Sequence, residues 1–136
     1  EQEKQPHMLE LASSYVERLT DERYTLDILG INKGVALINN NGERLELKFW
    51  SSGLADQVYL ALRLALAKVF SYQVESLPII LDDILVRFDE NRQRSALELL
   101  AELGKNQQIW LFTCQRSVYD MAQSIMGIDC HRLSRS

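Results

Sequence analysis

Apolar residues recur three and four positions apart at Met8, Leu9, Ala12, Tyr15, Val16 and Leu19, with Glu10, Ser13, Glu17 and Arg18 between them. This spacing predicts an amphipathic helix. The leading EQEKQ is polar on every side and suits either a frayed end or the last turns of a coiled coil. Thr20 to Glu22 break the pattern, and from Arg23 the period changes to two. Tyr24, Leu26 and Ile28 share one face, and Arg23, Thr25 and Asp27 the other. A turn over Gly30–Gly34 leads to a second strand, Val35 to Asn39. Asn40-Asn41-Gly42 then supplies residues that tolerate positive φ, as a tight turn requires. A third strand sets Leu45, Leu47 and Phe49 opposite Arg44, Glu46 and Lys48. Three short strands joined by tight turns predict an antiparallel meander.

The second half has a different texture. From Gly53 to Phe70 the chain is apolar on nearly every side of a helix, with Arg63 and Lys68 its only basic residues. Such a helix needs neighbours on more than one face. Pro78-Ile79-Ile80-Leu81 is an apolar run without alternation, as expected for a strand inside a parallel sheet. Asn91 to Gly104 predicts an amphipathic helix closed by a glycine cap. Ile109 to Phe112 reads as a second buried strand, Ser117 to Ile125 as a further helix, and Ile128 to Leu133 as a last strand. Strands and helices alternating at this spacing imply βαβ units and a parallel sheet. The fold class is therefore α/β, a short antiparallel meander followed by βαβ units. Neither an internal repeat nor a low-complexity segment interrupts it.

Composition narrows the function classes. With 136 residues, 46% hydrophobic and 25% charged, the chain has the make-up of one ordinary globular domain. A net charge of −4 argues against a generally basic nucleic-acid coat, though not against a local patch. No apolar run approaches the roughly 18 residues of a membrane span, and no secretory signal opens the chain. Cys114 and Cys130 are too few for a disulfide framework or a four-ligand zinc site, which fits a reduced, cytoplasmic setting. The chain opens at Glu1 rather than Met, straight into a helical pattern, and reads as a fragment of something longer.

Three places carry candidate chemistry. Asp82-Asp83 directly follows the apolar strand, and ligands of open α/β sheets bind beyond the carboxyl ends of the strands. Two carboxylates there suit Mg²⁺ on one and a polarised water on the other; the plainer reading is acids that end a strand and cap the next helix. Ser51-Ser52-Gly53 precedes the long helix, where hydroxyls, free N–H groups and the helix dipole favour an anion; the plainer reading is an N-cap with Asp56 in the first turn. Thr113-Cys114-Gln115 ends the second buried strand on the same edge as Asp82. Cys114 reads as a small buried residue rather than a nucleophile, since no histidine is near in sequence. His7 and His131 have no partner pattern, and Trp50 and Trp110 read as core or rim packing.

The order of these features resembles the C-terminal half of an ABC-type ATPase head, of the class found in structural-maintenance-of-chromosomes (SMC) and related DNA-repair proteins. Within that class the sequence is similar to the YhaN family of large bacterial coiled-coil ATPases. Trp50-Ser51-Ser52-Gly53-Leu54 stands where the class carries its LSGGQ-like signature, followed by a similar DQVYLALRLAL helix. Pro78 to Asp83 resembles the Walker B segment, Val86-Arg87-Phe88-Asp89 the D-loop, and Phe112-Thr113-Cys114-Gln115 falls at the switch position. The likeness runs from about Leu45 to Asp120. It implies residues 1–20 as the end of a coiled-coil arm and 21–136 as the C-terminal lobe of a head. It implies that Asp82 orients Mg²⁺ through water, Asp83 polarises the attacking water, and Gln115 takes the switch role. Ser51, Ser52 and Gly53 would meet the γ-phosphate of ATP held on a second head in a two-fold dimer, and Asp89 would link the two sites.

Three departures qualify the resemblance. Asp83 stands in place of the usual glutamate, one methylene shorter. The switch histidine is absent; Gln115 can donate a hydrogen bond but carries no charge. No G-x-x-x-x-G-K-[ST] occurs, and Gly30-Ile31-Asn32-Lys33-Gly34 reads only as a hairpin turn. The phosphate cradle must therefore come from an N-terminal P-loop lobe, without which no ATP hydrolysis is expected. The implied whole is an ATP-gated clamp on DNA working with a nuclease subunit and no membrane. The alternatives are a non-catalytic dimerisation or interaction module and, third, the cytoplasmic domain of an ABC transporter. Arg87, Arg92 and Arg94 read either as a DNA contact or as a solvated basic helix start.

Overall fold

The computed structural model of the chain describes residues 4–28, 34–71 and 77–133. Helix α1 (Lys4–Leu19) leads into strands β1 (Tyr24–Ile28), β2 (Val35–Asn39) and β3 (Arg44–Glu46). A single 3₁₀ turn over Leu47–Phe49 precedes helix α2 (Ser52–Ser71). Strand β4 (Ile79–Asp82), helix α3 (Glu90–Leu103), strand β5 (Ile109–Phe112) and helix α4 (Arg116–Gln123) follow.

Ala12, Tyr15, Val16 and Leu19 of α1 are buried, which is the apolar face the spacing defines. The helix stops because Asp21 and Glu22 both take left-handed backbone, at φ 53° and 65°. The Glu22 N–H then reaches back to the Glu17 carbonyl at 2.7 Å, and the buried Thr20 hydroxyl donates to the Val16 carbonyl at 2.7 Å. These bonds occupy carbonyls that the helix end leaves open. The chain turns into the three-stranded antiparallel sheet, order β1-β2-β3, with Leu26 opposite Leu37 and Leu37 opposite Leu45. The expected Gly30–Gly34 turn lies largely outside the described residues. In the next turn Gly42 alone takes positive φ (79°), whereas Asn40 and Asn41 do not; the Asn39 side chain organises that turn by accepting from the Asn41 and Glu43 N–H groups. The third strand is shorter than expected, since Leu47 and Phe49 lie in the 3₁₀ turn and are exposed.

β4 and β5 pair in parallel, from Ile79 opposite Ile109 to Asp82 opposite Phe112. Their inner residues Leu81, Ile79 and Leu111 join a core with Leu64 of α2, Leu97 and Leu99 of α3, and Val118 and Met121 of α4. Among the described residues only one face of this sheet is covered. Ile80, Trp110 and Phe112 on the other face are 58%, 48% and 45% exposed. α2 behaves alike: Leu60, Ala61, Leu64 and Ala65 are buried, while Tyr59, Leu66 and Phe70 face outward. Burial on more than one side, read from the sequence, is thus not met among the described residues.

The last expected strand, Ile128 to Leu133, is absent, since residues 128–133 have no regular structure. Ile128 and Cys130 pack against the core, which accounts for the alternation. The backbone, however, pairs with no strand edge. Gly104 does cap α3, but with right-handed backbone (φ −66°) rather than the left-handed form.

Candidate functional site

The chain leaves β4 through Asp82, which is exposed, and bends at Asp83, whose φ is 53°. Aspartate and asparagine are the non-glycine residues that enter this left-handed region most readily, because their short polar side chains bond locally. The Asp83 N–H donates to the Phe112 carbonyl at 2.7 Å, carrying the ladder one step past the Asp82–Phe112 pair. The bend is therefore anchored to the end of β5. The turn after β5 also reaches the carboxylate: Thr113 Oγ1 lies 3.4 Å from Asp83 Oδ1, and Cys114 Sγ lies 3.5 Å from Oδ2. The expectation of a buried Cys114 is corrected here. It is exposed, because the chain has already left the sheet at that position.

Beside this turn is an open groove of about 350 Å³, lined by Asp82, Asp83 and Arg87 and by Asp56, Tyr59 and Arg63 of α2. Arg63 Nη2 donates to the Ile80 carbonyl at 3.2 Å, tying α2 to the edge of β4. Arg87 Nε stands 3.6 Å from Asp56 Oδ2, an exposed pair of little energetic weight. Sequence reasoning missed the α2 residues. Their signal was present: Asp56, Tyr59 and Arg63 recur at three and four positions, a polar line along an otherwise apolar helix.

Ser51 caps α2, its Oγ accepting from the Leu54 N–H at 3.1 Å and its carbonyl from Ala55 at 2.9 Å. Ser51 and Ser52 are exposed. Gly53 packs so closely on the turn after β4 that a Cβ there would stand 3.0 Å from the Arg87 carbonyl oxygen. This contact joins the Ser51–Gly53 turn to the segment leaving Asp83. An alanine near a helix start ordinarily raises stability, through helix propensity and a less flexible unfolded chain. Here the clash is with backbone, so Gly53→Ala should instead destabilise by about 1–3 kcal/mol. A urea midpoint at or above wild type would show that the contact constrains nothing.

Asp89 caps α3, accepting from the Arg92 N–H at 2.8 Å. The Arg92 guanidinium lies 3.5 Å from Asp89 Oδ2 and 3.2 Å from Asp21 Oδ2, with its side chain only 13% exposed. The solvated-basic reading thus suits Arg87 and Arg94 but not Arg92, which is committed to two carboxylates. Gln115 donates its N–H to Thr113 Oγ1 at 3.1 Å, while its side-chain Oε1 is buried without a hydrogen-bond partner. Thr113 and Cys114, rather than Gln115, meet Asp83. Among the described residues no three His, Cys, Asp or Glu side chains are grouped to hold a metal ion.

The uncharacterised protein YhaN of Bacillus subtilis (strain 168) is 34% identical over 122 residues, 88% of this chain and 12% of that protein. The head domain of SMC from Thermotoga maritima superimposes with a TM-score of 0.66 at 20% identity, over 85% of this chain and 40% of that one. The chain is a homologue of YhaN and has the fold of part of an SMC head domain. A further SMC ATPase structure, from work on ATP-driven dimerisation and DNA-stimulated activation, gives a TM-score of 0.71 at 16% identity, over 86% of this chain and 73% of that one. An SMC head bound to the C-terminal winged-helix domain of ScpA gives 0.67 at 14% identity, over 86% and 37%. No family model matches the sequence. The lobe spans about an eighth of YhaN. No helix among its described residues is long and apolar enough to cross a membrane.

Proposed function

We propose that this lobe is the C-terminal half of an SMC-like ATPase head, supplying the signature, Walker B, D-loop and switch segments to an ATP site completed by a P-loop lobe. The observation that carries the reading is the arrangement at one sheet edge. Asp82 and Asp83 end a parallel strand, and the Ser51–Gly53 helix start is held against the turn that follows them. Phosphoryl transfer depends mainly on positioning and charge neutralisation, so a site divided between lobes is switched by their meeting.

In this reading the Asp83 carboxylate accepts a hydrogen bond from the attacking water and draws off its proton as the γ-phosphoryl group departs. Asp82, an exposed hard-oxygen donor, would hold Mg²⁺ through a water, and the ion would neutralise phosphate charge. The exposed Ser51 and Ser52 hydroxyls and the N–H groups at the start of α2 meet the γ-phosphate of ATP bound by a second head. Asp89 borders that second site. The uncovered face of β4–β5, with Ile80, Trp110 and Phe112, is where the P-loop lobe packs, since parallel sheets are normally covered on both faces. α1 is the base of the coiled-coil arm. The SMC relative's ATP-driven dimerisation supports the two-fold arrangement. Clamping on DNA beside a nuclease subunit, in the cytoplasm, is the role of the whole protein in this proposal.

The chain alone should neither turn over ATP nor hold it tightly, because it lacks a phosphate cradle. Joined to the P-loop lobe, it should hydrolyse ATP with a rate that rises with head concentration. Turnover by the isolated chain, or none by the joined head, would overturn the proposal. The second reading, a non-catalytic dimerisation module, is favoured by one observation: a thiol and an amide stand where a histidine would act. It predicts nucleotide-dependent dimerisation without hydrolysis.

A further inference from the structure

Asp83 lines an open groove, where an aspartate side chain is ordinarily free to sample staggered χ1 wells. Its backbone is already fixed from β5, through the Phe112 carbonyl at 2.7 Å. The next two residues of the same turn approach its two oxygens separately, Thr113 Oγ1 at Oδ1 and Cys114 Sγ at Oδ2. The direction of the Thr113 proton follows from its other bond. Its oxygen accepts from the Gln115 N–H at 3.1 Å, which leaves the single hydroxyl proton to point at the carboxylate. Cys114 can likewise only donate to an ionised carboxylate. The Thr113 contact, at 3.4 Å, is long for a hydroxyl donor; catalytic hydrogen bonds commonly tighten once the site is assembled.

We infer that Thr113 and Cys114 are positioning residues for Asp83, one donor on each carboxylate oxygen, holding it in the orientation a water-polarising base needs. This deepens the ATPase reading and gives Thr113 and Cys114 a role separate from the switch role that the resemblance implies for Gln115. Two donors, one at each oxygen, fix the direction in which the carboxylate faces the groove. Gln115 contributes through its backbone, by turning the Thr113 hydroxyl.

Two measurements separate this inference from the reading beneath it. Three-bond couplings of Asp83 in the 136-residue chain should report one χ1 rotamer, replaced by rotamer averaging in the Thr113→Val, Cys114→Ala double variant. Both replacements are close in shape to the originals, and a dispersed amide spectrum establishes that the double variant folds. In the head joined to its P-loop lobe, each single variant should lower kcat at least about tenfold with KM unchanged. Thr113→Ser and Cys114→Ser, which keep a donor, should restore most of the loss; a purely packing role would not give this pattern. A single Asp83 rotamer in the double variant, or an undiminished kcat in both single variants, would overturn the inference. If the joined head hydrolyses nothing, the ATPase reading falls, and the couplings still decide whether Asp83 is held.

Discussion

Asp83→Asn should lower the turnover of the assembled head by a factor of about 10²–10⁴, the usual range for removing a general base. The substitution is nearly isosteric. Asparagine tolerates left-handed backbone as aspartate does, so the bend at φ 53° survives. The Phe112 carbonyl still accepts from residue 83, and the single amide oxygen still accepts from one of Thr113 and Cys114, while the NH2 group faces the other. What disappears is the ability to take a proton. The loss should therefore fall on kcat, with KM and thermal unfolding unchanged, the pattern of an interaction made in the transition state. Steady-state hydrolysis beside calorimetric melting checks both halves. Equal turnover by the two proteins would remove Asp83 from the chemistry.

Leu81→Ala should cost about 2–5 kcal/mol of folding free energy, a large share of the stability of an ordinary domain. Leu81 is fully buried in β4, immediately before Asp82, and packs in the core shared by α2, α3 and α4. Close-packed side chains relax only partly around a deletion, so a cavity remains beneath the strand that carries both carboxylates. Urea unfolding gives the magnitude through the midpoint at unchanged slope. A loss under about 1 kcal/mol would mean that the site collapses freely and that β4 is loosely held.

Much of this arrangement was legible in the chain before its structure. The apolar spacing of α1 named the residues that are buried, and the period-two stretch from Arg23 named β1. The unalternating runs at Ile79 and Ile109 marked the parallel pair. What failed did so for identifiable reasons. Ile128 and Cys130 alternate as a strand would, but burial produces that alternation with or without an edge to pair with. Phe49 and Leu47 kept strand periodicity into a 3₁₀ turn, since exposed apolar residues carry no label of what covers them. The Asp82-Asp83 and Ser51–Gly53 turns were found by residue type. The Asp83 backbone, the Gly53–Arg87 contact and the Thr113 and Cys114 approaches arise between segments about 30 residues apart, beyond any local pattern.

The left-handed residue at the end of β4 also limits what evolution can try there. Long or branched side chains meet a penalty of about 1–2 kcal/mol in that conformation. Aspartate, asparagine and glycine meet little or none. A lineage that abandoned hydrolysis would drift among those three without disturbing the architecture, so a silent descendant of this lobe would keep the outline of a working one.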